Sequence, residues 1–117
     1  MSTIDAVRIE VTDLERSLAF YRLIGVAIPE TTSRSFATTE AVPARIDWST
    51  VPGGTSGKRI VMGVRCRDAD DVDRIHLALV EAGHKVQAAP HVEPWGALVC
   101  RAVDPDGNVV ELYVALP

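Results

Sequence analysis

The sequence predicts an α+β fold: two strand–helix–three-strand modules whose strands form a concave mixed sheet, with the helices on its outer face. Three observations predict it. The same order of candidate elements occurs twice within 117 residues. The candidate helix of each copy ends at a glycine, Gly25 or Gly83, and Asp13 in the first copy corresponds to Asp68 in the second. A run of turn formers, PGGTSG at 52–57, separates the copies. Repetition of a whole unit constrains a fold more than a single motif does. The expected division is one domain over 1–117, with module one at 4–51, a linker at 52–58 and module two at 59–115.

Module one begins with an alternation. Val7, Ile9 and Val11 alternate with Ala6, Arg8 and Glu10, the period of a half-buried strand. Thr12 is the expected N-cap, with Glu15 as its capping-box partner. Leu14, Leu18 and Tyr21 then fall on one helical face, and Gly25 supplies the C′ stop. Strands are expected near 26–29, 34–39 and 44–50. In module two, Ile60, Met62, Val64 and Cys66 alternate with Val61, Gly63 and Arg65. A helix starting at Asp68 or Asp70 carries Val72, Ile75 and Leu79 on one face and stops at Gly83. Strands follow near 85–89, 97–103 and 109–114. Asp104, Pro105 and Gly107 suit positions i, i+1 and i+3 of a type I turn joining the last two.

Composition excludes several classes. The hydrophobic fraction is 47%, enough for a packed core, and the net charge of −4 comes from interspersed charges with no basic stripe. Nucleic acid is therefore not an expected partner. No apolar run approaches the roughly 18 residues of a membrane span, so no membrane partner is expected. The first residues, MSTIDAVRIEV, lack a positive head followed by an apolar block, which predicts a cytoplasmic protein. Cys66 and Cys100 lie inside expected strands and read as buried free thiols. There is no G-x-S-x-G, phosphate loop or C-x-x-C.

Three stretches carry a family resemblance: VTDLERSLAFY at 11–21, Pro94-Trp95-Gly96, and DPDGNVVELY at 104–113. In that order and spacing the chain resembles the vicinal oxygen chelate superfamily, the glyoxalase, bleomycin resistance protein and dioxygenase group. The resemblance implies paired βαβββ modules, commonly assembled as homodimers. Its members include metal-dependent lyases, isomerases and dioxygenases, antibiotic thiol transferases, and proteins that only bind and sequester a drug. Fold and function are loosely tied, so the site is argued separately.

Metal-using members place ligands on the first and last strand of each module. By that resemblance the four positions are Ala6, Asp47, Val61 and Glu111. Ala6 and Val61 stand where an imidazole or amide is typical and bring no donor atom. Asp47 and Glu111 alone could hold a hard divalent ion with water, whereas a catalytic transition metal normally has three protein ligands. No cofactor is therefore expected, with a divalent metal on Asp47 and Glu111 as the alternative. His76 and His84 read as ordinary boundary residues, and His91, in the expected 90–94 loop, as a candidate at the cleft mouth.

Alternation sorts the cleft-facing residues: Ala6, Arg8, Glu10, Val61, Gly63, Arg65, Arg45, Asp47, Ser49, Val109, Glu111 and Tyr113. Glu10 and Arg65 occupy equivalent positions and are expected to pair across the module junction, or else to meet a ligand. The candidate ligand-binding residues are Trp95, Glu111, Asp47, Tyr113, Arg8, Arg65, Phe36 and His91. Trp48 shares the parity of Leu112, which suits core or dimer contact better than ligand contact. Trp95, in a Pro-Trp-Gly loop, is expected at the cleft rim, against the other reading that it packs on a partner chain. Many relatives carry an Arg where this chain has Leu98.

The function expected first is metal-free binding of a hydrophobic or aromatic small molecule, as in drug or metabolite sequestration. A divalent-metal lyase, isomerase or dioxygenase with a degenerate site is the alternative, and a module whose cleft is filled by its own side chains is a third. Exposed sheet edges predict a homodimer.

Overall fold

In the computed structural model, residues 9–28 and 60–117 are described. They form α1 (Leu14–Leu23), β1 (Val61–Arg65), α2 (Ala69–Glu81), β2 (Val86–Glu93), β3 (Ala97–Val103) and β4 (Val109–Ala115). The expected strands at 34–39 and 44–50 and the 52–58 linker lie outside the described residues, as do Ala6, Arg8, Phe36, Arg45, Asp47, Trp48 and Ser49.

Module two has the expected order of elements. Its sheet runs β1-β4-β3-β2, with β1 and β4 parallel and the other neighbours antiparallel. Helix α2 returns the chain to the far side of the sheet, and two hairpins then fill the gap between β2 and β1. The result is a mixed four-stranded sheet with helices, a small α+β fold.

The helix ends follow from local chemistry. Asp68 caps α2 by accepting the Asp71 N–H at 2.8 Å. At its other end the Gly83 N–H reaches Val80 O at 3.1 Å and the His84 N–H reaches Leu79 O at 3.0 Å. α1 ends in the same way: Gly25 N–H to Arg22 O at 3.0 Å and Val26 N–H to Tyr21 O at 2.9 Å. Both are Schellman motifs, and both glycines have the positive φ that motif needs, +98° and +79°. The N-terminus of α1 differs from expectation. Asp13 is the cap, accepting the Arg16 N–H, while Thr12 gives its N–H and hydroxyl to Asp106 at 3.1 and 2.7 Å. A partner 94 residues away outcompetes the local capping box.

One face of the sheet forms the core. Cys100, Ala102, Val110 and Leu112 pack against Val72, Ile75 and Leu79 of α2 and Phe20, Tyr21 and Ile24 beside them. Met62 and Val64 join this face, as alternation predicts, whereas Ile60 precedes β1 and is exposed. The apolar face of α1 is centred on Leu18, Phe20 and Tyr21, and Leu14 lies only at its margin. Each large side chain buried here contributes roughly 1.5–3 kcal/mol. Cys66 and Cys100 are free and buried, and burial pushes both thiols up, Cys100 to about 11. No helix among the described residues is long and apolar enough to cross a membrane.

The turn between β3 and β4 ties α1 to the sheet. Gly107 N–H closes it on Asp104 O at 3.0 Å. The buried Asp104 carboxylate accepts four hydrogen bonds: Asp106 N–H, Asn108 N–H and Asn108 Nδ2 within the turn, and the Tyr21 hydroxyl from α1. Two of the three stretches that carry the family resemblance thus meet here, and their meeting holds the fold together.

Candidate functional site: the open face of the sheet

The second sheet face is built by the same alternation. Opposite the core-facing Met62, Val64, Val110 and Leu112 lie Val61, Gly63, Arg65, Val109, Glu111 and Tyr113. Strand register aligns them into rows. Gly63, Glu111 and Arg101 form one row across β1, β4 and β3. Arg65, Tyr113, Val99 and His91 form the next, across all four strands.

His91 lies on β2 rather than in a loop. The strand runs to Glu93 through Pro90, with three steps on β2 (Ala88 to His91) facing two on β3 (Arg101 to Val99). That bulge, on the strand at the end of the sheet order, accommodates a residue that cannot donate to the ladder.

The polar centre of this face is a connected chain of charges. Arg101 Nε donates to Glu111 Oε2 at 3.1 Å, and Arg101 Nη2 donates to Glu93 Oε1 at 2.9 Å. His91 Nε2 lies 2.8 Å from the same Glu93 oxygen, and its Nδ1 lies 2.8 Å from Ala89 O. The Ala89 carbonyl, and then the Glu93 carboxylate, raise the imidazole above its ordinary value, because both ring nitrogens are placed to donate. Hydrogen bonds from His91 and Arg101 hold the Glu93 carboxyl below the usual range.

Sequence reasoning missed Arg101 and Glu93. The signal existed for Arg101: the turn at 104–107 pairs Val103 with Val109, and therefore Arg101 with Glu111. The expected Glu10–Arg65 pair is not among the ion pairs of the described residues. Glu111 is instead held by its hairpin neighbour on β3.

Beside the charge chain lies an aromatic corner. Trp95 sits on the turn between β2 and β3, closed by Gly96 N–H to Glu93 O at 2.9 Å, with Gly96 at φ +90°. Its indole is 61% exposed and meets the Tyr113 ring at an interplanar angle of 62°, centroids 6.4 Å apart. Tyr113 leans over Gly63, where an added Cβ would stand 3.4 Å from its Cε1. Trp95, Tyr113, Arg65, Glu111 and His91 are thus on or beside one face. Arg8, Phe36 and Asp47 lie outside the described residues.

The described half of the metal-ligand pattern does not fit a transition metal. Val61 has no donor atom, and the Glu111 carboxylate is engaged by a guanidinium that repels a divalent cation. Among the described residues no group of three His, Cys, Asp or Glu side chains could hold a metal ion. The arrangement offers hydrogen bonding, charge and aromatic stacking. The only imidazole on the face is committed at both nitrogens.

The model of the Glyoxalase/Bleomycin resistance protein/Dioxygenase superfamily matches residues 3–112. No curated relative matches the chain. Among solved structures, a hypothetical protein from S. aureus superposes with a TM-score of 0.70 at 18% identity, covering 97% of this chain and 96% of its own. A glyoxalase-related enzyme from Fulvimarina pelagi gives 0.69 at 19% identity, covering 97% and 88%. A lactoylglutathione lyase from Agrobacterium tumefaciens gives 0.61 at 20%, covering 97% and 93%. Identities this low establish a shared fold.

Proposed function

The chain belongs to the Glyoxalase/Bleomycin resistance protein/Dioxygenase superfamily, and from that premise we propose that it binds an organic small molecule on the open face of its sheet without a transition-metal cofactor. The observation that carries this reading is the state of the family's ligand positions in module two. One is Val61, and the other, Glu111, is bound to Arg101 at 3.1 Å. What remains for ligand contact is the Trp95–Tyr113 corner, Arg65 and the Glu93–Arg101–Glu111 chain. Sequestration or carriage of a drug or metabolite suits such a surface. Arg8, Phe36 and Asp47 of module one are proposed to complete it.

A homodimer in the cytoplasm is part of the same reading. Among the described strands β1 ends the sheet order, and Ile60 and Val61 are exposed there, an edge suited to pairing. Buried free thiols suit a reducing compartment.

Native mass spectrometry of protein purified from cells, with elemental analysis of the same sample, tests the proposal. A dimer carrying an organic adduct and far less than one transition metal per chain is expected. Close to one zinc, nickel or iron per chain would overturn it in favour of a metal-dependent lyase, isomerase or dioxygenase.

A further inference from the structure

We propose that the ligand is a planar aromatic carboxylate, with its ring in the Trp95–Tyr113 corner and its carboxylate on Arg65; this rests on the reading of the open face as a binding site. Geometry supplies the ring site. Two aromatic planes at 62° with one strongly exposed indole form an open L, which a third ring can fill by stacking on one plane and meeting the other edge-on. Gly63 matters here: the Tyr113 ring rests over it, and a larger residue on β1 would fill that space.

Charge decides the sign of the ligand. Glu93 and Glu111 are both taken by Arg101, and Glu93 by His91 as well. Neither carboxylate is therefore without a partner on the described strands. Arg65 is the remaining charge on the described face. It stands in register with Tyr113, one strand spacing of about 4.8 Å away. It is exposed, and its guanidinium has no ion-pair partner among the described residues. Its planar fork matches a carboxylate bidentately. A cationic ligand would meet Arg65, and on the described strands no unpaired carboxylate offsets it. A neutral ligand would leave the guanidinium unused.

Isothermal titration with three ring-matched probes tests this: 2-naphthoate, 2-naphthalenemethanol and 2-naphthylmethylammonium. The intact protein should bind naphthoate roughly tenfold or more tightly than either of the others, the factor expected for one charge-assisted hydrogen-bonded pair. Arg65→Gln should abolish that preference while the neutral probe binds as before. Trp95→Ala should weaken all three together. Equal binding of the three probes, tighter binding of the cation, no binding of any, or an unchanged preference in Arg65→Gln overturns the inference. Circular dichroism confirms that each variant is folded. The two proposals fail separately. A cationic or non-aromatic molecule that co-purifies with the protein sinks the aromatic carboxylate and leaves the binding site standing. A stoichiometric transition metal sinks the metal-free reading itself.

Discussion

The Tyr21 hydroxyl donates a 2.7 Å hydrogen bond to Asp104 Oδ2, joining α1 to the β3–β4 turn across 83 residues of sequence. Both partners are buried. The pair explains why an Asp-Pro-Asp-Gly-Asn turn and a tyrosine at the end of a helix occur together: Oδ1 accepts the two backbone N–H groups of the turn, and Oδ2 accepts the Tyr21 hydroxyl of the helix along with Asn108 Nδ2.

Tyr21→Phe should therefore cost stability and leave ligand binding unchanged. The ring stays packed in the core, while Asp104 loses one of its four donors. A hydrogen bond to a charged group contributes about 1.5–3 kcal/mol. Urea denaturation of the two proteins measures it. Asp104→Ala should cost more, because it strands the Tyr21 hydroxyl and unties the turn at once. A Tyr21→Phe protein as stable as the parent would show that the contact is dispensable.

His91 gives a pH dependence with a defined sign. Its hydrogen bonds raise its folded pKa above the ordinary value of about 6.5. A raised histidine contributes stability that is fully present below the unfolded pKa and is lost as pH rises through the folded one. The stability gap between the parent and His91→Gln should therefore be widest near pH 5–6 and should shrink above about pH 7. Denaturation at a series of pH values reads this directly. A gap that widens with pH would mean that His91 is neutral in the fold.

Arg101 holds two half-buried carboxylates, so Arg101→Met should leave Glu93 and Glu111 facing each other without a cation between them. The variant should be less stable, by an amount that solvent screening at this partly solvated site keeps small. Glu93 is depressed in the parent, so its contribution is present above its unfolded pKa and disappears as pH falls through the folded one. The penalty should be largest at neutral pH and should fade on acidification below about pH 4. A penalty independent of pH would point to lost packing of the arginine stem.

Much of module two was legible because its signals are local. Gly83 and Asp68 bracket α2, and alternation sorts Met62 and Val64 from Gly63 and Arg65. The reach of β2 was not legible. Pro90 argues against a strand, and only the bulge on a terminal strand reconciles it with pairing, which is a property of the sheet. The cap of α1 was misread because Thr12 and Asp13 both suit an N-cap, and Asp106, far along the chain, decides between them. The site was half legible for the same reason. Parity placed Glu111, Tyr113 and Arg65 on one face, but the partner of Glu111 follows only from counting across the hairpin. The expectations for Arg8, Phe36 and Asp47 fall outside the described residues.

Trp95 remains the sharpest single test of the open face as a binding surface. The turn that carries it is fixed at both ends, by Gly96 N–H on Glu93 O and by Leu116 N–H on Gly96 O, at 2.9 Å each. The backbone that carries the indole is thus held, and the indole's one aromatic neighbour among the described residues is Tyr113. Trp95→Ala should barely alter stability, because a side chain exposed to this degree buries little area on folding. It should weaken binding of the co-purifying molecule by about 1–3 kcal/mol, the range for losing one aromatic anchor. Sedimentation of the same variant separates the competing role. A mutant that keeps its ligand affinity but loses its dimer would place Trp95 in a subunit interface. One that loses affinity and stays dimeric places it at the rim of the binding face.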